Sequence, residues 1–488
     1  MDYKDIALFT DFYELTMMQG YFKKGMQGTM AVFDMFYRSN PNRNGYSIFA
    51  GLEQVLAYIQ TLSFDPADVD YLRSQHIFDE DFLQYLSTFK FTGDIYGVKE
   101  GSVIFPNEPI IKVVAPIMEA HLVEGAILNI INHQSLIATK AARIVQSADG
   151  DVVMELGLRR AQGIGAGIYG SRASIIGGCK STSNVVAGKR FDIKVSGTQS
   201  HSWVMSYDSE LEAFEAYAQV YPDNCILLVD THNTLKSGVP NAIRVFDQLR
   251  EAGKTPAVYG IRLDSGDIAY LSKQARKMLD AAGHPEAIIA ASNDLDEDLI
   301  KDLKHQKAAI DTWGVGTSLI TSKSWASFGG VYKLSAIDKK GDGYEPKIKI
   351  SESPIKINNP GNKKVYRIYD AKTKKMKADL ITLEHEVIDV TKDLTIFHPI
   401  QTWKTITFKA NAFYIEELLI PVVKKGQVVY DSPSVEEIKV YSIAQREALW
   451  EEYKRFTNPN IFPVDLSQAL FDLKNKLISE SYERTKEK

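Results

Sequence analysis

Cysteine is scarce in this sequence: Cys179 and Cys225 are the only two in 488 residues. That excludes a disulfide framework and a cysteine zinc site, and it fits a reducing compartment. Excess charge is also missing. The formal net charge of -5 gives no electrostatic reason to expect a nucleic-acid partner. No window offers the roughly 18 uninterrupted apolar residues of a membrane span. The opening stretch "MDYKDIALFTDFYELTMMQGYF" lacks an apolar core long enough for a signal peptide. The expectation is therefore a cytoplasmic protein with no membrane partner. G-x-x-x-x-G-K-[ST] is absent as well, so any use of ATP is not P-loop chemistry.

What is present is an ordinary globular composition, 44% hydrophobic and 24% charged, in a chain long enough for two or three domains. Residues 1–135 mix short strands with helices and form the first expected domain. "TMAVFDMFYR" reads as a strand, and "FAGLEQVLAYIQTL" sets Leu52, Val55, Leu56 and Ile59 on one helical face. "VEGAILNIINHQSLIATKAARIVQSA" reads as a long helix leading into the middle of the chain.

Residues 136–344 have a rhythm. "DIKVSGT", "CILLVDT", "AVYGIRLD", "AIIAASND" and "AIDTWGVGT" are apolar, β-rich runs that end in polar residues. The ends fall at Thr198, Asp230, Arg262, Ser292 and Thr317, spaced by 32, 32, 30 and 25 residues. Helix-like stretches follow the first four. "VVMELGLRR" and "SIIGGCKST" can supply two earlier strands. The pattern is that of an irregular (β/α) barrel, in which chemistry collects at the C-terminal ends of the strands. From about 345 the texture is Lys-rich and turn-punctuated. "YEPKIKISESPIKINNPGNKKVYRIYD" reads as exposed hairpins and is followed by a helical tail, so 345–488 is taken as a separate, smaller mixed domain.

The strand ends carry the candidate chemistry. His201, in "GTQSHSWVMSYDSELEAF", lies just past a strand end and before a helix that Asp208 or Ser209 can cap. A lone histidine is most often structural, but near pH 7 an imidazole at such a position is a nucleophile and an acid or base. Asp230 can orient that imidazole, hold a metal or cap the next helix. In "GIRLDSGD", Arg262 offers a fork of donors to an anion, and Asp264 and Asp267 suit a sugar diol or Mg²⁺. "TWGVGTS" lets backbone N–H groups approach a phosphate. Arg159 and Arg160 are further anion candidates. Gly165, Gly167 and Gly170 make a formal G-x-G-x-x-G, which in a barrel context is not a dinucleotide fingerprint.

The series "TDFYELTM", "ELGLRRAQG", "GTQSHSWV", "VDTHNT", "GIRLDSGD", "SNDLDE", "GVGTSL" and "KISESPIKINNPGNK", in this order, closely resembles the nicotinate phosphoribosyltransferases, type II phosphoribosyltransferases. The resemblance spans about residue 10 to residue 363. It implies transfer from phosphoribosyl pyrophosphate to nicotinate, giving nicotinate mononucleotide and pyrophosphate as the first step of NAD salvage from nicotinate. ATP hydrolysis is coupled to the transfer, and Mg²⁺ is required. It implies that His201 is phosphorylated by ATP, with Asp230 and Asp264 orienting it or serving the ribose or Mg²⁺. It places Tyr13 on the pyridine ring of the neighbouring subunit's site in a homodimer. Arg159 is implied by the pyridine or pyrophosphate, Thr198 at the nicotinate site, Arg262 at nicotinate or phosphate, and Asn293, Asp294, Gly316 and Thr317 at the phosphoribosyl phosphate. No structural metal site is expected.

Nicotinamide-using relatives tend to carry an acidic residue in the segment corresponding to "GGCKSTSN". Lys180, Ser181 and Thr182 stand there instead, which favours a carboxylate substrate. The alternatives are a nicotinamide or quinolinate phosphoribosyltransferase and a barrel sugar-phosphate enzyme of another class. The last of these would need a Schiff-base lysine or a glutamate base at a strand end, and neither is evident.

Overall fold

The computed structural model describes residues 6–254 and 256–486. The chain divides into two compact units. One comprises 1–136, 327–433 and 440–488, and the other 137–326 with 434–439. The long helix Glu124–Ser147 contains the point of division.

The unit 137–326 is built on six strands: β1 (Val152–Glu155), β2 (Ser181–Thr182), β3 (Asn224–Leu228), β4 (Val258–Leu263), β5 (Ile288–Ala291) and β6 (Thr312–Val315). They run parallel in the order β2-β1-β6-β5-β4-β3. That order is cyclic apart from one opening, so the sheet is a barrel with a seam. The run "DIKVSGT" forms no full strand. It joins β2 through a single parallel bridge, Thr182 to Val195. On its other side the seam is spanned by a side chain: Gln199, 7% exposed, donates Nε2 to the carbonyl of Ile226 in β3 at 3.2 Å. Of the two early strands, "VVME" is present. "SIIGGCKST" yields only Ser181–Thr182, because Ile175 and Ile176 belong to the helix Ile164–Ile176.

Helices follow the strands with side-chain caps. Ser209 accepts the N–H of Glu212, Asp267 that of Tyr270, and Asp296 those of Asp298 and Leu299. Asp267 is thus used as a cap, which accounts for an acid otherwise assignable to the site. Gly165, Gly167 and Gly170 lie within the helix Ile164–Ile176, where a Cβ on Gly167 would meet Leu158 Cδ1 at 2.9 Å. Gly167 thus serves close packing. Both cysteines are free and buried.

In the other unit a seven-stranded antiparallel sheet has Ile111–Pro116 at its centre, beside Met30–Tyr37, which pairs in turn with Gly330–Asp338. Its far side is completed by Ile420–Lys424 against Asp94–Gly97. Residues after 345 carry a second, six-stranded sheet around the hairpin Lys363–Asp370/Met376–Leu383, yet lend this strand to the first one. The helix face read from sequence is buried: Leu52, Val55, Leu56 and Ile59 are at most 4% exposed.

The hairpin is not exposed as its lysines and arginine suggest. Lys363, Val365, Arg367 and Ile368 are buried. The charges go inside because they are paired. Arg367 grips Asp379 with two hydrogen bonds, Nε to Oδ1 at 2.8 Å and Nη2 to Oδ2 at 2.7 Å. Among the described residues, no helix is long and apolar enough to cross a membrane.

Candidate active site

Because β1 to β6 are parallel, their C-terminal ends share one edge. The 3-10 turn Leu158–Arg160 follows β1 there, and Asp230 lies two residues past β3. Arg262 is the penultimate residue of β4, with Asp264 just beyond it. Ser292, Asn293 and Asp294 follow β5, and Gly316 and Thr317 follow β6. His201 opens a short helix, His201–Met205, after the seam segment.

The contacts knit these ends together. His201 Nδ1 lies 3.0 Å from the hydroxyl of Thr231, and its Nε2 lies 3.6 Å from Asp264 Oδ2, an ion-pair separation. The other oxygen of Asp264 accepts the hydroxyl of Ser292. Asp230 is used differently. Its Oδ2 accepts the backbone N–H of Asp264 and the hydroxyl of Ser265, each at 2.8 Å, and its buried Oδ1 has no protein partner. Asp264 therefore faces the imidazole, and Asp230 fixes the loop that carries Asp264.

Arg262 points the other way along the strand ends. One guanidinium nitrogen donates to Thr198 Oγ1 and another to the Gln199 carbonyl at 2.9 Å, while its buried Nε is unpartnered. Burial pulls its pKa below the usual arginine value. Asp264 and Asp230 oppose that, and the nearby charge of Arg159 adds to it. Two guanidinium groups within electrostatic reach of each other make a place that an anion relieves. Arg159 and Arg160 are exposed on their turn.

The phosphate-type loops have the backbone such loops need. Asn293 and Asp294 both adopt positive φ, 87° and 42°, a conformation that asparagine and aspartate tolerate better than most residues. Gly316 packs against the main chain after β1: a Cβ there would stand 3.2 Å from the Leu156 carbonyl oxygen.

Lys180, Ser181 and Thr182 are not where a substrate selector is needed. Lys180 precedes β2, and its N–H bonds the Val153 carbonyl, which sets it at the N-terminal edge of the sheet, away from the site. Ser181 and Thr182 are buried. Thr182 donates to Glu155, a residue that sequence reading passed over. Glu155 is fully buried and also accepts from the Ser171 hydroxyl at 2.9 Å and from the backbone N–H of Gly157. It ties β1, β2 and the helix Ile164–Ile176 to the turn bearing Arg159. Its signal was an acid inside the apolar run "VVMEL". Thr231, beside His201, belongs to "VDTHNT".

Tyr13 belongs to the other compact unit. It sits in the first turn of the helix Phe12–Lys23, and the residue is 48% exposed. Its phenol is pushed up to about 12, first by burial and then by Glu124, Glu14 and Asp11.

Among the described residues, no group of three or more histidine, cysteine, aspartate or glutamate side chains could hold a metal ion. Two carboxylates, Asp230 with its free Oδ1 and Asp264, suit a Mg²⁺ that arrives largely held by substrate phosphates.

Sequence comparison matches residues 8–132 to the nicotinate phosphoribosyltransferase N-terminal domain, 153–392 to the nicotinate phosphoribosyltransferase family and 362–474 to its C-terminal domain. The nicotinate phosphoribosyltransferase of Bacillus subtilis (strain 168) is 46% identical over 482 residues, covering 99% of this chain and 97% of its own. The chain belongs to the nicotinate phosphoribosyltransferase family. The Caenorhabditis elegans nicotinate phosphoribosyltransferase is 34% identical, over 96% of this chain and 93% of its own. The crystal structure of human nicotinic acid phosphoribosyltransferase superposes with a TM-score of 0.85 at 27% identity, covering 96% of this chain and 99% of that one. The irregular barrel and the additional C-terminal sheet are thus features shared with this family.

Proposed function

We propose that this enzyme transfers the phosphoribosyl group of phosphoribosyl pyrophosphate to nicotinate, with ATP consumed through His201. The observation that carries the reading is the convergence of His201, Asp264, Arg262 and Thr198 on one edge of the barrel, in a chain of this family.

In the transfer, the pyridine nitrogen forms a bond to C1 of the ribose as the bond from C1 to pyrophosphate breaks. No proton moves, so no general base is needed. The enzyme's part is to place charge where it develops. Arg262 and Arg159 suit the nicotinate carboxylate or the pyrophosphate. The loops at Asn293–Asp294 and Gly316–Thr317 suit the ribose phosphate. Mg²⁺, when bound with substrate beside Asp230 and Asp264, supplies neutralisation of pyrophosphate charge.

Asp264, on the Nε2 side, favours the tautomer with the proton there, which leaves the Nδ1 lone pair to accept from Thr231. That lone pair can attack the γ-phosphorus of ATP, with ADP leaving, and water later cleaves the phosphoimidazole. The phosphoryl group adds nearly two negative charges at the strand ends and shifts substrate affinities during turnover. Tyr13 is assigned to stacking on the nicotinate ring, contributed by one subunit of a homodimer to the site of the other. Its exposed ring supports that role.

The deciding assay is product formation from nicotinate, nicotinamide and quinolinate, each with and without ATP. A higher kcat/KM for nicotinamide or quinolinate would refute the substrate. Labelled ATP should give an acid-labile, base-stable phosphoprotein that His201→Asn abolishes together with ATPase activity, leaving slow ATP-independent transfer. Undiminished ATPase in that variant would sink the role of His201.

A further inference from the structure

The motif "KISESPIKINNPGNK" takes no part in the barrel chemistry. It lines a cavity within the unit that contains residues 327–433, together with residues of the strand Met30–Tyr37 and the helix Gln468–Lys486. Phe36, Pro109, Pro399 and Val464 contribute apolar walls.

Three buried lysines meet near this loop, and they are not equally satisfied. Lys112 donates to Asn362, to the Lys363 carbonyl and to Glu384, at 3.1, 2.9 and 2.8 Å. Lys363 pairs with Asp34 at 2.8 Å and donates to the Gly361 carbonyl. Lys474 lines the cavity at 5% exposure and donates to the side-chain oxygen of Asn359 at 2.9 Å. Among the described residues that is the one hydrogen bond of an ammonium with three donors, and no carboxylate pairs with it. Burial, with Lys363 nearby, pulls its pKa down to about 8. An acceptor is stranded on the same cavity: Oδ1 of Asp34 is buried without a partner, and Asp34 is 2% exposed.

An excess of donors and one orphan acceptor, facing the same small space, specify a ligand. We propose that this cavity binds a small oxyanion that also carries a hydrogen-bond donor, its oxygens on Lys474 and its O–H on Asp34. A protonated phosphate and a short hydroxycarboxylate share that chemistry. None of the residues lining the cavity is among those assigned to transfer, so its occupant acts as an effector or structural ligand and not as a substrate. A buried cation without a counter-charge is costly, and a bound anion removes that cost.

The test is acylation of Lys474 by acetic anhydride at pH 8 in the full-length enzyme, followed by mass spectrometry, with exposed Lys409 as control. Inorganic phosphate and lactate are the two probes, and sulfate is the comparison because it lacks a donor. A bound anion that raises the Lys474 pKa by one unit lowers the neutral amine several-fold, approaching tenfold at lower pH. Protection of Lys474 but not Lys409 by phosphate assigns a phosphate-type ligand, and protection by lactate a carboxylate-type ligand. Protection by neither overturns the proposal. Equal protection by sulfate and phosphate overturns the pairing of the donor with Asp34.

Discussion

Asp230 Oδ2 accepts the backbone N–H of Asp264 at 2.8 Å, and so the two acids act in series on His201. Removing the charge of Asp264 should strike the imidazole directly. Asp264→Asn is expected to lower ATP-coupled kcat by roughly tenfold to a hundredfold with little change in Tm. Asp230→Ala should act through the loop, lowering both kcat and stability, since it releases two bonds worth about 1.5–3 kcal/mol each where a charged group is involved. Steady-state kinetics and thermal unfolding of both variants check this. Equal effects on Tm would contradict the serial arrangement.

Glu14 is fully buried, and burial, Glu124 and Asp11 push its pKa up to about 8. An unfolded glutamate titrates near 4.3. Between these values the folded state holds a proton that the unfolded state has lost, so this group makes stability fall as pH rises from about 4.3 to 8. Glu14→Gln removes that dependence. The variant should gain Tm relative to the parent at pH 8 and show little difference at pH 4. Parallel Tm profiles for the two proteins would refute the assignment.

Arg367 is wholly buried on Asp379. Arg367→Leu leaves that carboxylate uncompensated and should cost on the order of 3–5 kcal/mol in denaturant unfolding. Arg367→Lys should recover only part of this, because a point charge cannot make the two parallel bonds. Full recovery by lysine would show that charge alone matters.

Most of the barrel was legible because its strands are apolar runs with polar ends at a near-constant spacing, and each end proved to lie on one edge. What could not be read follows from chemistry that a linear pattern hides. "DIKVSGT" looks like a strand, but Gln199 uses its side chain where a neighbouring backbone would otherwise pair. "GGCKSTSN" looks like a row of donors for a substrate, yet Ser181 and Thr182 are buried and Lys180 is at the wrong end of the sheet. The lysines and arginine after 345 suggested solvent, because composition does not reveal that Lys363 and Arg367 have carboxylates waiting inside. Tyr13 was legible only through resemblance.

Gly157 offers a test of how tightly the turn bearing Arg159 is held. A Cβ there would lie 2.6 Å from Ile320 Cβ and 2.9 Å from Glu155 Oε1. Gly157→Ala should cost about 1–3 kcal/mol through overpacking and raise KM for phosphoribosyl pyrophosphate by displacing Arg159. An unchanged KM with lowered stability would separate the turn from substrate binding.

The Gln199 seam also makes the barrel mechanically uneven. Around most of its circumference, adjoining strands are laced by main-chain ladders. At the seam side chains do the holding: the Gln199 amide ties the residues just ahead of His201 to β3, and Arg262 of β4 holds Thr198 and the Gln199 carbonyl. The amide bond is worth about 0.5–1.5 kcal/mol net and the bonds from the Arg262 guanidinium about 1.5–3 kcal/mol each, so the seam rests on discrete bonds where the other strands have ladders. A charge placed on the imidazole, as the proposed phosphorylation does, works against these few side-chain bonds and not against a sheet. The laced strands hold Arg262 and Asp264, and through Arg262 they also reach the residues just ahead of His201.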